Sequence, residues 1–312
     1  MAYLGSVFIG WTGIGNNQLN LASSTDGRTF GNKYTSGETS CDAPALCVHN
    51  KTMYIAWTGT NSLLNVAAVN VQGSTVTGFS NKVTLSETSM QSPALASLNG
   101  RLYIGWRGIG NNFLNVMSSA DGRTFTTKYT SNETSNDTPA LCAHNGRLFI
   151  GWPGSGSNLQ LNIAPVNHSG ANVTGFGNKV TLGETSTERP ALASFDGKLF
   201  MAWRGTNSDL NLMASADNGR TFVDKYTSQE SSLLSPALTP SDRLLLYSWA
   251  GPQSIPQLNV AQAASSRPHL HPLRKRHLTL TPKPSSSVIR PPLQPADNLL
   301  RLLTQPIHKS RR

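Results

Sequence analysis

Residues 94–131 read ALASLNGRLYIGWRGIGNNFLNVMSSADGRTFTTKYTS. Four short apolar runs in this stretch are separated by turn chemistry. The first run, 94–99, passes into the second, 101–106, through Asn99-Gly100, a pair suited to the positive φ of a two-residue hairpin. A polar loop leads to the third run, 113–119, and the tight turn Ala120-Asp-Gly-Arg-Thr-Phe125 leads to the fourth, 126–131. These runs are predicted to form strands A, B, C and D of one antiparallel sheet.

The phrase recurs along the chain. Trp11, Trp57, Trp106, Trp152, Trp203 and Trp249 each close a strand-B run, at intervals of 46, 49, 46, 51 and 46 residues. An Leu-Asn-apolar phrase follows each tryptophan, and a Pro-Ala-Leu phrase begins at Pro44, Pro93, Pro139, Pro190 and Pro236. Four antiparallel strands per unit of this length is the arithmetic of a propeller blade. A single blade cannot cover both of its faces, but radial stacking lets each sheet cover its neighbour. The expected fold is therefore all-β, a β-propeller of six four-stranded blades over residues 1–262; five or seven blades also fit. The ring reads as imperfectly closed, because blade 1 shows no strand A and blade 6 stops after strand C. Lys33, Lys82, Lys128, Lys179 and Lys225 recur on strand D, where a charge on an outer edge discourages edge-to-edge pairing.

Composition bounds the rest. The formal net charge is +10, yet residues 264–312 hold ten Lys/Arg against one acid, Asp297, so the propeller is near neutrality. The basic balance therefore belongs to a tail, 263–312, with eight prolines and no blade pattern, and is expected to be disordered. No specific nucleic-acid face is implied for the body. No apolar run is long enough for a transmembrane helix and no signal peptide is visible, so localisation and oligomeric state stay open. Cys41, Cys47 and Cys142 lack metal-ligand spacing; neither a metal site nor a cofactor is expected.

A second period overlies the first. Blades 1, 3 and 5 carry a short C–D turn, whereas blades 2 and 4 carry the longer phrases VNVQGSTVTGF and PVNHSGANVTGF. The short turns, Ser24–Phe30, Ser119–Phe125 and Ser215–Phe222, match Ser-x-Asp-x-Gly-x-Thr-Phe or a form one residue shorter. With these turns the chain resembles the Asp-box (BNR-repeat) propellers of the sialidase-like superfamily, and is closer to their non-catalytic or lectin-like members. The resemblance implies a structural role for Asp26, Asp121 and Asp217, whose carboxylates bond backbone N–H groups of their own turns. It also implies that ligands meet the opposite face.

That opposite face carries the B–C and D–A loops, longer and more irregular than the turns. Its recurring groups are Trp11, Trp57, Trp106, Trp152 and Trp203; loop amides such as Asn16 and Asn111; and one glutamate per blade, Glu38, Glu87, Glu133, Glu184 and Glu230; Arg107 and Arg204 complete the expected ligand-binding set. Aromatic surface, amides and a carboxylate suit a sugar, and several weak sites on one ring gain from avidity. The expected function is multivalent, lectin-like glycan binding. The same residues also suit packing, and a protein-binding or scaffolding propeller is the alternative. A sialidase-like hydrolase is the second alternative. It draws on Arg107, Arg189 and Arg204 of the loop face, but no tyrosine is evident on the inner loops and no catalytic residue is assigned. Of the acids, Glu188 and Asp209 stand apart from the repeat.

Overall fold

The computed structural model describes residues 1–253 and 257–265, which form six antiparallel sheets in a ring. Blade 3 shows the plan: strands Ala94–Leu98, Arg101–Arg107, Phe113–Ser119 and Thr126–Thr134 pair in chain order. Blades 1, 2 and 5 follow it, and in blade 4 strand D is split into Asn172–Phe176 and Val180–Thr185. Blade 6 has three strands among the described residues: Ala237–Pro240, Leu244–Ala250 and Leu258–Ser265. The propeller thus runs to Ser265, past the boundary read from sequence. The expectation of a disordered tail lies outside the described residues.

One reading of strand content changes. Blade 1 does possess a strand A, the two residues Ala2–Tyr3 paired with Ser6–Thr12. The long C–D phrases of blades 2 and 4 extend the hairpin between strands C and D; in blade 2, Leu63–Gln72 and Thr75–Thr88 stay paired up to a Gly73-Ser74 turn.

The repeated letters fix the register. Each tryptophan lies opposite the asparagine of strand C, from Trp11 with Asn20 to Trp249 with Asn259. In the five complete blades a strand-D threonine hydroxyl donates to that asparagine's Oδ1: Thr35 to Asn20, Thr84 to Asn65, Thr130 to Asn115, Thr181 to Asn162 and Thr227 to Asn211, at 2.6–2.7 Å. The amide Nδ2 donates to the carbonyl two residues earlier, as Asn115 does to Phe113 at 2.9 Å. A polar side chain that is nearly fully buried is thereby satisfied, and it ties C to D.

Six apolar clusters lie between the six sheets, with one tryptophan in each. Trp57, Trp106, Trp152 and Trp203 are each 1% exposed. The seam between blades 6 and 1 is of the same kind, with Leu246 and Val260 packed on Trp11, Ala22 and Phe30. The Met1 ammonium also donates to Thr239 Oγ1 across it at 3.1 Å. The ring is closed by side-chain packing.

The short turns of the odd blades are held by packing and by their own hydrogen bonds. In blade 3 the Asp-box Gly122 has φ +71°, and a Cβ there would lie 2.3 Å from the Tyr54 ring of blade 2. Only glycine admits both the conformation and the neighbour. Asp121 Oδ1 accepts from the N–H groups of Arg123 (2.9 Å) and Thr124 (2.8 Å) and from the Ser119 hydroxyl (2.8 Å). Asp26 and Asp217 hold their turns in the same way.

Two outcomes are expected. Trp106→Ala lowers the unfolding free energy by about 3–5 kcal/mol in urea titration, while Lys128→Ala costs less than about 1 kcal/mol. The Thr29 and Arg28 N–H groups and the Ser24 hydroxyl hold Asp26 down to about 2, and Asp121 and Asp217 are lowered likewise by their turns. Carboxylates depressed by folding stabilise above their unfolded pKa near ~4 and lose that contribution as pH falls through the folded value. The triple Asp→Asn variant should therefore show a flatter stability profile than the wild type between pH ~4 and ~2.

Candidate functional site

The groups that repeat are committed to the scaffold. The tryptophan rings fill the gaps between sheets; Trp57, Trp106, Trp152 and Trp203 present no face to solvent, and Trp11 is 5% exposed. The five glutamates lie on the last residues of strand D, as in Gly31–Thr39 and Thr126–Thr134, and not in the D–A loops. Four pair with a lysine of the following blade: Glu38 with Lys82 (2.6 Å), Glu87 with Lys128 (2.9 Å), Glu133 with Lys179 (2.8 Å) and Glu184 with Lys225 (2.7 Å). Glu230 holds the same place on blade 5. Lys33, Lys82 and Lys225 also sit 5.4–5.9 Å from the ring centroids of Trp11, Trp57 and Trp203. The strand-D lysines thus bind neighbouring blades together, beyond guarding an edge. Asn16 and Asn111 accept from Gln18 and Phe113 N–H through Oδ1, which closes their own loops. These sugar-site candidates do not converge on a shared surface.

A different set converges. Each D–A loop reads Ser-x-X-x-Pro: 40–44, 89–93, 135–139, 186–190 and 232–236. The serines are 0% exposed. Ser135, for example, donates to Pro153 O (2.9 Å) and Asp137 O (2.5 Å), pinning the loop to the end of strand B. The position X faces the axis and is Asp42, Gln91, Asp137, Glu188 and Leu234 in successive blades. These five side chains, with Arg189, line a cavity of about 340 Å³ that reaches the seam, where Trp11 and Trp249 form its apolar wall. Of the tryptophans proposed from sequence, Trp11 alone borders it. Beneath lies a channel of about 260 Å³ lined by the Pro-Ala-Leu phrases of strand A.

Two aspartates bridge blades. Asp42 accepts from Ala43 N–H (2.7 Å) and, with its other oxygen, from Ser92 N–H (2.9 Å); Asp137 accepts from Thr138 N–H (2.7 Å) and Arg189 N–H (2.8 Å). Arg107 donates to Gln91 Oε1 at 3.1 Å and to Asn112 Oδ1. Arg204 donates to Ser232 O and Ser208 Oγ, each at 2.7 Å. Both guanidinium groups therefore brace loops around the mouth, while Arg189 reaches the cavity itself. Burial, reinforced by the Asp137 charge, pushes the Glu188 carboxyl up to about 7 against the pull of Arg204 and Arg189. Burial likewise raises Asp137, with Arg189 opposing.

Sequence reading separated Glu188 from the repeat and counted Arg189 among three loop-face arginines, but missed Asp42, Gln91 and Asp137. The available signal was the run of three varying letters between a constant serine and a constant proline, with a polar residue at its centre in four of the five loops. Asp209, the other acid singled out, lies apart from the mouth and accepts from Asn207 Nδ2 at 2.7 Å. Among the described residues no group of His, Cys, Asp or Glu is placed to hold a metal ion, and no helix is long and apolar enough to cross a membrane.

No family model matches the chain, and no curated protein matches it by sequence. Solved structures do match its fold. The SapL1 lectin, in complex with α-methyl fucoside, is similar at a TM-score of 0.55 and 11% identity, covering 90% of this chain and 99% of that one. A triple arginine-to-alanine mutant of AofleA from Arthrobotrys oligospora gives 0.59 and 9%, covering 83% of each chain. The Hadza microbial sialidase Hz136 gives 0.56 and 14%, covering 80% of this chain and 61% of that one. The chain has a six-bladed propeller fold that it shares, at low identity, with lectin and sialidase structures.

A carboxyl raised by folding makes the native state the stronger proton binder between its unfolded and folded pKa values, so stability falls as pH rises through that window. For Glu188 the window runs from ~4.5 to about 7. Relative to wild type, Glu188→Gln should gain stability across it, by at most about 1.4 kcal/mol per pH unit, as read by urea titrations at stepped pH.

Proposed function

We propose that this propeller binds carbohydrate at the mouth of its central channel, on the face of the B–C and D–A loops, and that it belongs with the lectin-like Asp-box propellers. One observation carries the reading: the polar side chains that break the repeat gather at one cavity. Its volume falls within the range of about 300–1,000 Å³ usual for small-molecule sites. Asp42, Asp137, Glu188 and Gln91 offer acceptors for sugar hydroxyls, Gln91 and Arg189 offer donors, and Trp11 with Trp249 supplies apolar wall for C–H surface. The recurring Trp, Asn and Glu support this site from behind and do not form a ring of equivalent subsites. Multivalency, on this reading, comes from presenting several copies of the protein.

Glycoside hydrolysis is the second reading. A carboxyl still protonated near neutrality, Glu188, beside a second carboxyl, Asp137, is the pairing a glycosidic acid needs.

A glycan array probed with the full chain, followed by calorimetry on the hits, tests both. Binding is expected to weaken at least about tenfold, some 1.4 kcal/mol, in Arg189→Ala and in Glu188→Gln, and to be unchanged in Asn16→Ala. A blank array with folded protein would sink carbohydrate recognition. Release of aryl leaving group from a glycoside panel, abolished by Glu188→Gln, would move the assignment from binding to hydrolysis.

A further inference from the structure

The axis of the ring is kept open and lined with hydrocarbon. The Pro-Ala-Leu phrases that lead into strand A of blades 2 to 6 all border the channel of about 260 Å³ beneath the mouth. Proline has no N–H to present there. The middle letter is alanine in all five phrases, the smallest apolar side chain, and larger residues at these places would narrow the channel. Phe30, Leu246 and Val260 continue the apolar wall toward the seam. The polar side chains on it are Arg189, Ser248 and Thr239, whose Oγ1 accepts from the Met1 ammonium at 3.1 Å. An apolar cavity of about 150 Å³ already takes a benzene ring, and this space is larger.

Channel and mouth are continuous. Ile9, Gly10, Pro44, Arg189, Ala237 and Ser248 border both. The polarity changes sharply at this throat. In three of the loops an acid of the mouth stands two residues before the proline that opens the apolar phrase: Asp42 before Pro44, Asp137 before Pro139 and Glu188 before Pro190. Toward the seam the mouth itself turns apolar, with Leu234 in the place of the acids beside Trp11 and Trp249. A sugar alone meets the polar half of this space and leaves water against the apolar half. A sugar joined to a hydrocarbon group meets both, and moving that group out of water favours binding.

We propose that the ligand of this site is a glycoside with a hydrocarbon aglycone, its sugar in the mouth and its alkyl or aryl group in the channel. The proposal rests on the carbohydrate reading and adds the class of aglycone. The channel lies on the axis behind the mouth, so its occupant enters end-on, as a free single-chain glycoside does.

Calorimetry on the full chain tests this, with paired methyl and octyl glycosides of glucose, galactose and mannose below micelle-forming concentrations, and with octanol as a probe of the channel alone. Each methylene taken out of water favours binding about fourfold. The octyl members should therefore bind at least about tenfold more tightly than the methyl members, and octanol should bind saturably. Ala140→Leu, which borders the channel and not the mouth, should remove both effects and leave methyl-glycoside binding and the urea midpoint unchanged. Ala237→Leu, at an exposed place in the throat, should also remove the octyl gain and replaces Ala140→Leu if that variant fails to fold.

Equal affinity of octyl and methyl members, with no octanol binding, overturns the proposal and leaves carbohydrate recognition standing. A gain that survives the folded variants also overturns it, because the chain then lies elsewhere, as does binding confined to glycolipid in vesicles. Octanol held in the channel while no glycoside binds, methyl or octyl, overturns the glycoside together with the carbohydrate reading.

Discussion

Each sheet of this ring has two apolar faces and only its neighbours to cover them. Everything else in the structure depends on that need. The answer is one large side chain per gap: a tryptophan at the end of each strand B, set opposite an asparagine of strand C, packed into the space before the preceding blade. Burying an indole in every gap removes the rings from solvent, so the most conspicuous recurring letter in the chain belongs to packing. The circumference repeats the principle in charge. The strand-D glutamates reach forward to the next blade's lysine, and three lysines lie against the tryptophans.

Repetition and function therefore separate. A ring with equal demands at every gap must reuse its residues at every gap. A site that distinguishes one ligand from another needs groups placed unequally. The molecule meets both by gathering much of its inequality in the short D–A loops, between a buried serine and a proline. The reading Asp, Gln, Asp, Glu, Leu is polar on one side of the mouth and apolar on the other, toward the seam.

This division also explains what the sequence made legible. Strand order, hairpin turns and blade length follow from local alternation and from Asn-Gly and Asp-box turns, and these agree with the structure nearly residue by residue. Strand A of blade 1 escaped notice because two residues cannot display a period. The glutamates were placed in loops because the ladder irregularity between strands C and D, which carries Glu133 beyond Tyr129 and Thr130, leaves no mark in hydropathy. The mouth was half visible: Glu188 stood out as a departure and Arg189 was counted on the loop face, whereas Asp42 and Asp137 went unmarked. Only three-dimensional closure brings residues about fifty positions apart around one axis.

The serine-clamped loop has a consequence for how such a molecule changes over time. Gln91 and Leu234 occupy the same place as the three acids without altering the backbone around them, so the fold tolerates charge, amide or hydrocarbon there. The five positions form a short alphabet written on a frame that does not read it. New preferences at the mouth can arise by exchanging single letters at 91, 188 and 234 while the frame keeps its shape, whereas a change at 42 or 137 also removes a bond between blades.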